Sequence, residues 1–195
     1  MSLRRNWLLS CGVAASAVAL AQGAWASDFT IQSGQTVGQQ VLTDVGDTGT
    51  IEQGGIVSAG GATGVLMQNS DQTASSSGSI ETSGIVAFGI YSSGSDAQII
   101  NGGSIETSGG FAFAINSSSS DAQITNSGSI VTSGDGSAYG IQSSGSGVNI
   151  TNSGSIYTSG IEGRGISTEQ PDGQITNSGS IVTLGKDSFG IYFLG

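Results

Sequence analysis

The chain has 195 residues, of which 34 are Gly, and it contains one Cys, one Pro and no His. Its formal net charge is −10, because fourteen acidic residues outnumber four basic ones. A single Cys excludes a fold held by internal disulfides, and the acidic balance excludes nucleic-acid binding led by phosphate contacts. The high Gly and Ser content is also typical of flexible linkers, so the placement of the apolar residues must decide between a linker and a fold.

Residues 1–26 are predicted to be a secretory signal peptide. Arg4 and Arg5 give a basic start, the stretch 7–21 is mostly apolar, and the Ala-x-Ala motif at 24–26 predicts cleavage before Ser27. An N-terminal anchor that is never removed is the alternative. The stretch 3–8 also resembles a twin-arginine signal, so both the Sec route and the twin-arginine route stay open.

Cleavage at this site changes the chemistry of the remaining chain. All fourteen acidic residues stay, Arg164 and Lys186 are the remaining cations, and the net charge becomes −12. We therefore expect no electrostatic attachment to anionic lipid. The Cys leaves with the signal peptide, so the mature chain could pass unfolded through a second pore without being locked by a disulfide.

Residues 27–55 are predicted to form an N-terminal cap or an irregular first rung. Their apolar residues alternate only loosely with Gln, Ser and Gly. Such a segment suits the open end of a stack of repeats, which needs a cover. The loosely alternating residues are Phe29, Ile31, Val37, Val41 and Leu42.

Residues 56–195 are predicted to be stacked repeats of a right-handed parallel β-helix. Ile recurs in three columns at spacings of 25 or 26 residues, and the short Gly- and Ser-bounded runs between turns have strand alternation without helical periodicity. The pattern predicts an all-β solenoid with about 25 residues and three short strands per rung. The columns are Ile80, Ile105, Ile130, Ile156 and Ile181; Ile90, Ile115, Ile141, Ile166 and Ile191; and Ile99, Ile124, Ile150 and Ile175.

An Asn recurs at one turn of each repeat, preceded by Ser76 in the earlier one. We interpret the column as a ladder in which side-chain amides bond from rung to rung, with a sugar-binding row as the alternative. The members are Asn101, Asn126, Asn152 and Asn177.

Two columns of carboxylates are candidates for chemistry. Glu81 and Glu106 occupy equivalent positions, so they should project outward about 5 Å apart, as the two carboxylates of a retaining glycosidase do. Rung lengths vary by one residue, which leaves no long loop to build a cleft over the pair, and we predict no catalytic residue. The second column is Asp71, Asp96, Asp121 and Asp172, interrupted by Gly147; we interpret it as turn-formers, with Ca²⁺ binding left open.

One column is aromatic apart from a single Arg. Its members precede the anchors of one Ile column, and we expect them to stack at a corner, with Arg164 as a cation–π partner. An exposed platform for glycans or peptides is the alternative. The members are Phe88, Phe113, Tyr139, Arg164 and Phe189.

A Thr column offers the flat row of hydroxyls that ice-binding β-helices use. Each Thr lies two residues after an inward Ile, so alternation should point it inward, and we disfavour this function. The column is Thr82, Thr107, Thr132, Thr158 and Thr183.

The chain combines the leader with Cys-free rungs of the form Ile-Thr-Asn-Ser-Gly-Ser-Ile-x-Thr-Ser-Gly and with anchors of the form Gly-Ile-x-Ser. This combination resembles the passenger regions of bacterial autotransporters, the type V secretion proteins. The resemblance covers residues 27–195 and rests on the style of the repeat. It implies a right-handed β-helix on the outer surface, ordinarily followed by a C-terminal membrane β-barrel. No barrel strands are recognisable in this sequence, and the repeats run to Gly195, so we expect an N-terminal fragment of a longer chain.

These observations together predict a non-enzymatic, exported surface protein that acts as a β-helical stalk or adhesin. The expected partners are extracellular or host-surface glycans or proteins, with self-association open, no nucleic acid, and membrane contact only through a following barrel. No metal or cofactor is expected. A β-helix enzyme acting on polysaccharides and a secreted self-assembling fibre are the alternatives.

Overall fold

The computed structural model describes residues 28–194, so the predicted signal peptide lies outside the described residues. This part of the chain contains 21 short strands and no helix. The strands are β1 (Phe29–Ile31), β2 (Thr36–Val37), β3 (Gln40–Leu42), β4 (Thr48–Ile51), β5 (Ile56–Gly60), β6 (Val65–Met67), β7 (Thr73–Ser76), β8 (Ser79–Thr82), β9 (Ile90–Ser92), β10 (Gln98–Asn101), β11 (Ser104–Thr107), β12 (Ile115–Ser117), β13 (Gln123–Asn126), β14 (Ser129–Thr132), β15 (Tyr139–Ser143), β16 (Asn149–Asn152), β17 (Ser155–Thr158), β18 (Arg164–Thr168), β19 (Gln174–Asn177), β20 (Ser180–Thr183) and β21 (Phe189–Phe193).

The strands form three parallel sheets of seven strands each. Sheet 1 begins with β1 and β4, sheet 2 with β2 and β5, and sheet 3 with β3 and β6, and every third strand along the chain joins the same sheet. Each residue pairs with its equivalent about 25 positions away, as Ile105 does with Ile80 and Ile130. The prediction of an all-β parallel β-helix with three short strands per rung is confirmed.

Alternation within each strand explains why these residues fold in this way. A four-residue strand such as β11 places Ile105 and Thr107 inside the solenoid and Ser104 and Glu106 outside. A lone rung could not shield its apolar residues, but stacked rungs close over them from both sides. The interior is therefore a set of parallel Ile rows, and most of these Ile side chains are fully buried.

The first rung is shorter than the others. Phe29 pairs with Gly49 and Thr36 with Ile56, a spacing of 20 residues, whereas Gln40 pairs with Val65 at the later spacing of 25. Residues 29–51, where a cap or irregular first rung was predicted, thus already contribute strands to all three sheets. A register shift between Ser58 and Gly60 marks a β-bulge where β5 meets β8.

Three corners connect the sheets in every complete rung. From Thr73 onward the first corner, between sheets 1 and 2, has two residues and the second, between sheets 2 and 3, has five to seven, whereas both have four residues in the rung of β4, β5 and β6. The third corner, between sheets 3 and 1, has five residues throughout. From β7 onward, the first corner is 77–78, 102–103, 127–128, 153–154 and 178–179. The second corner is 83–89, 108–114, 133–138, 159–163 and 184–188, and the third is 68–72, 93–97, 118–122, 144–148 and 169–173.

Candidate functional site

The Asn column lies inside the solenoid at the end of sheet 1, immediately before the first corner. Asn101, Asn126 and Asn152 are fully buried, and Asn177 lies in the last described rung. Each Nδ2 donates to the Oδ1 of the next Asn at 2.7 Å, from Asn101 through to Asn177. Because the first three amides are enclosed by protein and all four are bonded in series, this geometry supports a structural ladder more than a sugar-binding row.

The ladder has a defect at its N-terminal end. Asn101 pairs in register with Ser76, whose side chain is shorter than an Asn. Both Asn101 Oδ1 and Ser76 Oγ are buried without a hydrogen-bond partner. An unsatisfied buried polar atom is destabilising, so the chain gives up stability at this position.

The predicted Ile and Thr columns also face inward. Ile80, Ile105, Ile130 and Ile156 are fully buried in sheet 2, and Ile181 is partly buried against the core. The Thr residues from Thr82 to Thr158 are buried beside them. Thr82 Oγ1 donates to the carbonyl of Ala87 at 3.1 Å, so its hydroxyl is hydrogen-bonded to the backbone of the second corner. These Thr residues do not form a flat hydroxyl face on the outside.

The aromatic column lies along the outside of sheet 3 and its rings stack. The ring centroids of Phe88 and Phe113 are 5.5 Å apart, and those of Phe113 and Tyr139 are 4.6 Å apart with an interplanar angle of 4°. Each ring therefore covers a face of its neighbour and leaves mainly its edge to solvent. Because glycans bind to open ring faces, the geometry supports packing more than a glycan platform.

Arg164 continues the column in place of an aromatic residue. Its guanidinium carbon lies 5.0 Å from the Tyr139 ring centroid and 3.7 Å from that of Tyr192, and Nη1 donates to Ser167 Oγ at 3.2 Å. A planar cation between two rings is a favourable cation–π arrangement. Phe189, the last member, is 49% exposed and contacts Tyr192 at a ring distance of 5.5 Å.

Glu81 and Glu106 pair in register on the outside of sheet 2, and both are exposed. They border a shallow groove of about 310 Å³, whose other lining residues include Ser58, Ser83 and Ser108. Gly60, at the bulge, also lines the groove, and a Cβ built on it would meet open space. Both carboxylates are exposed and stand side by side, an arrangement that attracts a cation.

The Asp column occupies the third corner, where the backbone explains its composition. Asp71, Asp96 and Asp121 have φ between 55° and 60°, and Gly147 takes the same place at 66°. Asp and Gly tolerate this left-handed conformation better than most residues do. Within residues 28–194, no three His, Cys, Asp or Glu side chains converge as a metal would require.

The second corner contains residues that the sequence pattern did not single out. Ile85, Val86, Phe111 and Ile161 are large apolar side chains that are more than half exposed. They occupy aligned corners but do not share one residue type, because Asp135 and Gly136 replace them in the rung between. Aligning the repeats by their Ile anchors and searching each corner for exposed apolar residues would have revealed them.

The fold and its outward surfaces define a class, the parallel β-helix proteins, in which a rigid solenoid presents its faces and corners to solvent. Comparisons with protein-family models, with curated proteins and with solved structures found no match. No helix with the length and apolar character of a membrane span occurs in the described part of the chain.

Proposed function

We propose that this chain is a non-enzymatic, exported surface protein whose β-helix acts as a stalk or adhesin-like passenger of the autotransporter type. The observation that carries the proposal is the continuity of the three sheets, each of which pairs seven strands in parallel order. A solenoid paired in this way transmits position along its axis, which suits the display of a binding surface at a distance. The signal-like leader and the repeat style support export.

Intact cells provide the test of location. Antibody raised against residues 28–194 should label intact cells of the source organism, and protease added outside should remove the label. The N-terminus of the surface form should begin at Ser27. Labelling that requires permeabilised cells would contradict the proposal.

The non-enzymatic part of the proposal needs a separate assay, because Glu81 and Glu106 lie in register on adjacent strands and both are exposed. Release of reducing ends from a panel of neutral and acidic polysaccharides should be absent. The matched variant is Glu81→Gln, which keeps the shape of the side chain and removes its charge. If the native chain releases reducing ends and this variant does not, the stalk proposal is wrong and the protein is a polysaccharide-acting enzyme.

A further inference from the structure

The second corner exposes more apolar surface than folding requires. Ile85 is 78% exposed, and Val86, Phe111 and Ile161 are between 53% and 57% exposed. These side chains lie on three rungs, and the ring of Phe111 lies over Gly136 on the intervening rung. They form a ridge along the β-helix axis, which we call the corner ridge. A contiguous apolar strip on a soluble surface marks an interaction site.

The backbone at the corner ridge is strained. Val86 has φ 58° and Phe111 has φ 54°, whereas Gly136 takes the equivalent place at 107°. A left-handed conformation is unfavourable for residues with a side chain by about 1–2 kcal/mol, and for a β-branched residue such as Val it is a true outlier. Glu162 and Asp187 take the same conformation on later rungs, at φ 53° and 57°, so the left-handed turn belongs to the corner itself. What distinguishes Val86 and Phe111 is that they place an exposed apolar side chain there, which neither suits this backbone nor adds much buried area.

Carboxylates border the corner ridge throughout. Glu81 and Glu106 lie beside it on sheet 2, and Asp135 and Glu162 lie within the corner itself; all four are exposed. The groove of about 310 Å³ between the two sheet 2 carboxylates opens next to Ser83 and Ser108, where the corner begins. The surface thus alternates apolar side chains with negative charge from Glu81 to Asp135, and its two neighbouring cations, Arg164 and Lys186, lie at its C-terminal end.

We propose that the corner ridge and its groove bind a cationic, amphipathic polypeptide segment in which Lys or Arg alternates with apolar residues. The groove has room for one basic side chain between Glu81 and Glu106, and the apolar residues of the segment cover Val86 and Phe111. Charge complementarity identifies the partner: a second copy of this chain would bring twelve net negative charges from residues 28–194 to a surface that is already negative. The proposal does not depend on the route or fact of export.

The test uses the purified chain and a fluorescein-labelled peptide of alternating Lys and Leu, with alternating Lys–Ser and Glu–Leu peptides as probes of each requirement. Fluorescence anisotropy should show saturable binding of the Lys–Leu peptide alone. Binding should weaken at least about tenfold in the double variant Glu81→Gln/Glu106→Gln and in Val86→Gly/Phe111→Gly. The matched control is Asp71→Asn/Asp96→Asn, which removes two charges at the third corner and should leave binding unchanged.

Three results would overturn the proposal. One is the absence of saturable binding up to about 1 mM peptide. Another is equal weakening by the third-corner variant, which would mean attraction to net charge only. The last is unchanged binding by Val86→Gly/Phe111→Gly, whose glycines suit the local backbone and should preserve the fold. Retained inter-rung structure in each variant is checked by its urea midpoint.

Discussion

The chain passes through the first and the second corner once in each rung, yet the two corners differ in length, composition and exposure. The first corner repeats the Gly of Asn-Ser-Gly with little change, lies against the buried Asn ladder and donates backbone N–H groups to the rung before it. The second corner varies in length and composition and exposes apolar side chains on strained backbone. Both corners bond to neighbouring rungs through backbone groups, but only the longer second corner carries side chains that project into water, and there the rungs are free to differ.

The largest expected effect comes from breaking the first corner's ladder with Asn126→Ala. Asn101 Nδ2 keeps only its longer bond to the carbonyl of Ser129, at 3.3 Å, and the buried Asn152 Oδ1 loses its donor. The free energy of unfolding should fall by about 3 kcal/mol. Urea unfolding measures it, with Thr125→Ala on the outer face as a control that should change little. A loss below about 1 kcal/mol in Asn126→Ala would mean that the ladder is not a main source of stability.

A second large effect should follow from adding a methyl group at the first corner. A Cβ at Gly128 would collide with the backbone carbonyl of Gly103, whereas a Cβ at Gly61, in the corresponding corner between sheets 2 and 3, would meet open space. Gly128→Ala should therefore lower the free energy of unfolding by about 2 kcal/mol. Gly61→Ala should change it by less than about 0.5 kcal/mol. Equal urea midpoints for the two variants would remove the distinction between the corners.

Extending the Asn ladder by one residue should stabilise the β-helix. An Asn at position 76 could donate its Nδ2 to Asn101 Oδ1, which has no partner in the native chain. Ser76→Asn should raise the free energy of unfolding by about 1 kcal/mol. Ser76→Ala removes the unpartnered hydroxyl without supplying a donor, so it should gain less. If both variants destabilise the chain equally, the space beside Ile51 cannot hold an amide.

The smallest effect is expected at the second corner. Val86→Gly removes a β-branched side chain from φ 58°, and the relief of strain outweighs the added freedom of the unfolded chain. The free energy of unfolding should rise by about 0.5 kcal/mol. Val45→Gly is the control, because Val45 is also more than half exposed but has no positive φ, and that change should destabilise the chain slightly. A loss of stability in Val86→Gly would show that the corner ridge serves folding.

The repeat made the fold predictable, and its irregularities limited the prediction. Ile80 and its equivalents recur at a fixed spacing, which specifies strands, register and stacking at once. The first rung keeps no such column, so its spacing of 20 residues between Phe29 and Gly49 could not be read in advance. The positive φ angles of Val86 and Phe111 could not be predicted from these two residues, because a positive φ is typical of Gly, Asn and Asp.

Carboxylate positions were predictable, but their surroundings were not. Glu81 and Glu106 were expected side by side and outward, and the pairing places them so. The groove beside them is also lined by Ser58 and Gly60, which flank a bulge that the Ile columns, beginning at Ile80, do not specify. The candidate surface therefore combines residues that a column identifies with a shape that only coordinates reveal.

The hydrogen bonds of the Asn ladder all run in one direction, which gives the solenoid an axial dipole in addition to the field of its charged residues. Every amide from Asn101 to Asn177 points its N–H toward the C-terminal rungs and its oxygen toward the N-terminal ones. The amide dipoles therefore add along the axis, and from Asn101 to Asn152 they do so in a buried interior where each bond polarises the next. The negative end of the ladder dipole is at Asn101 Oδ1, so the N-terminal and C-terminal directions along the β-helix axis are electrostatically distinct.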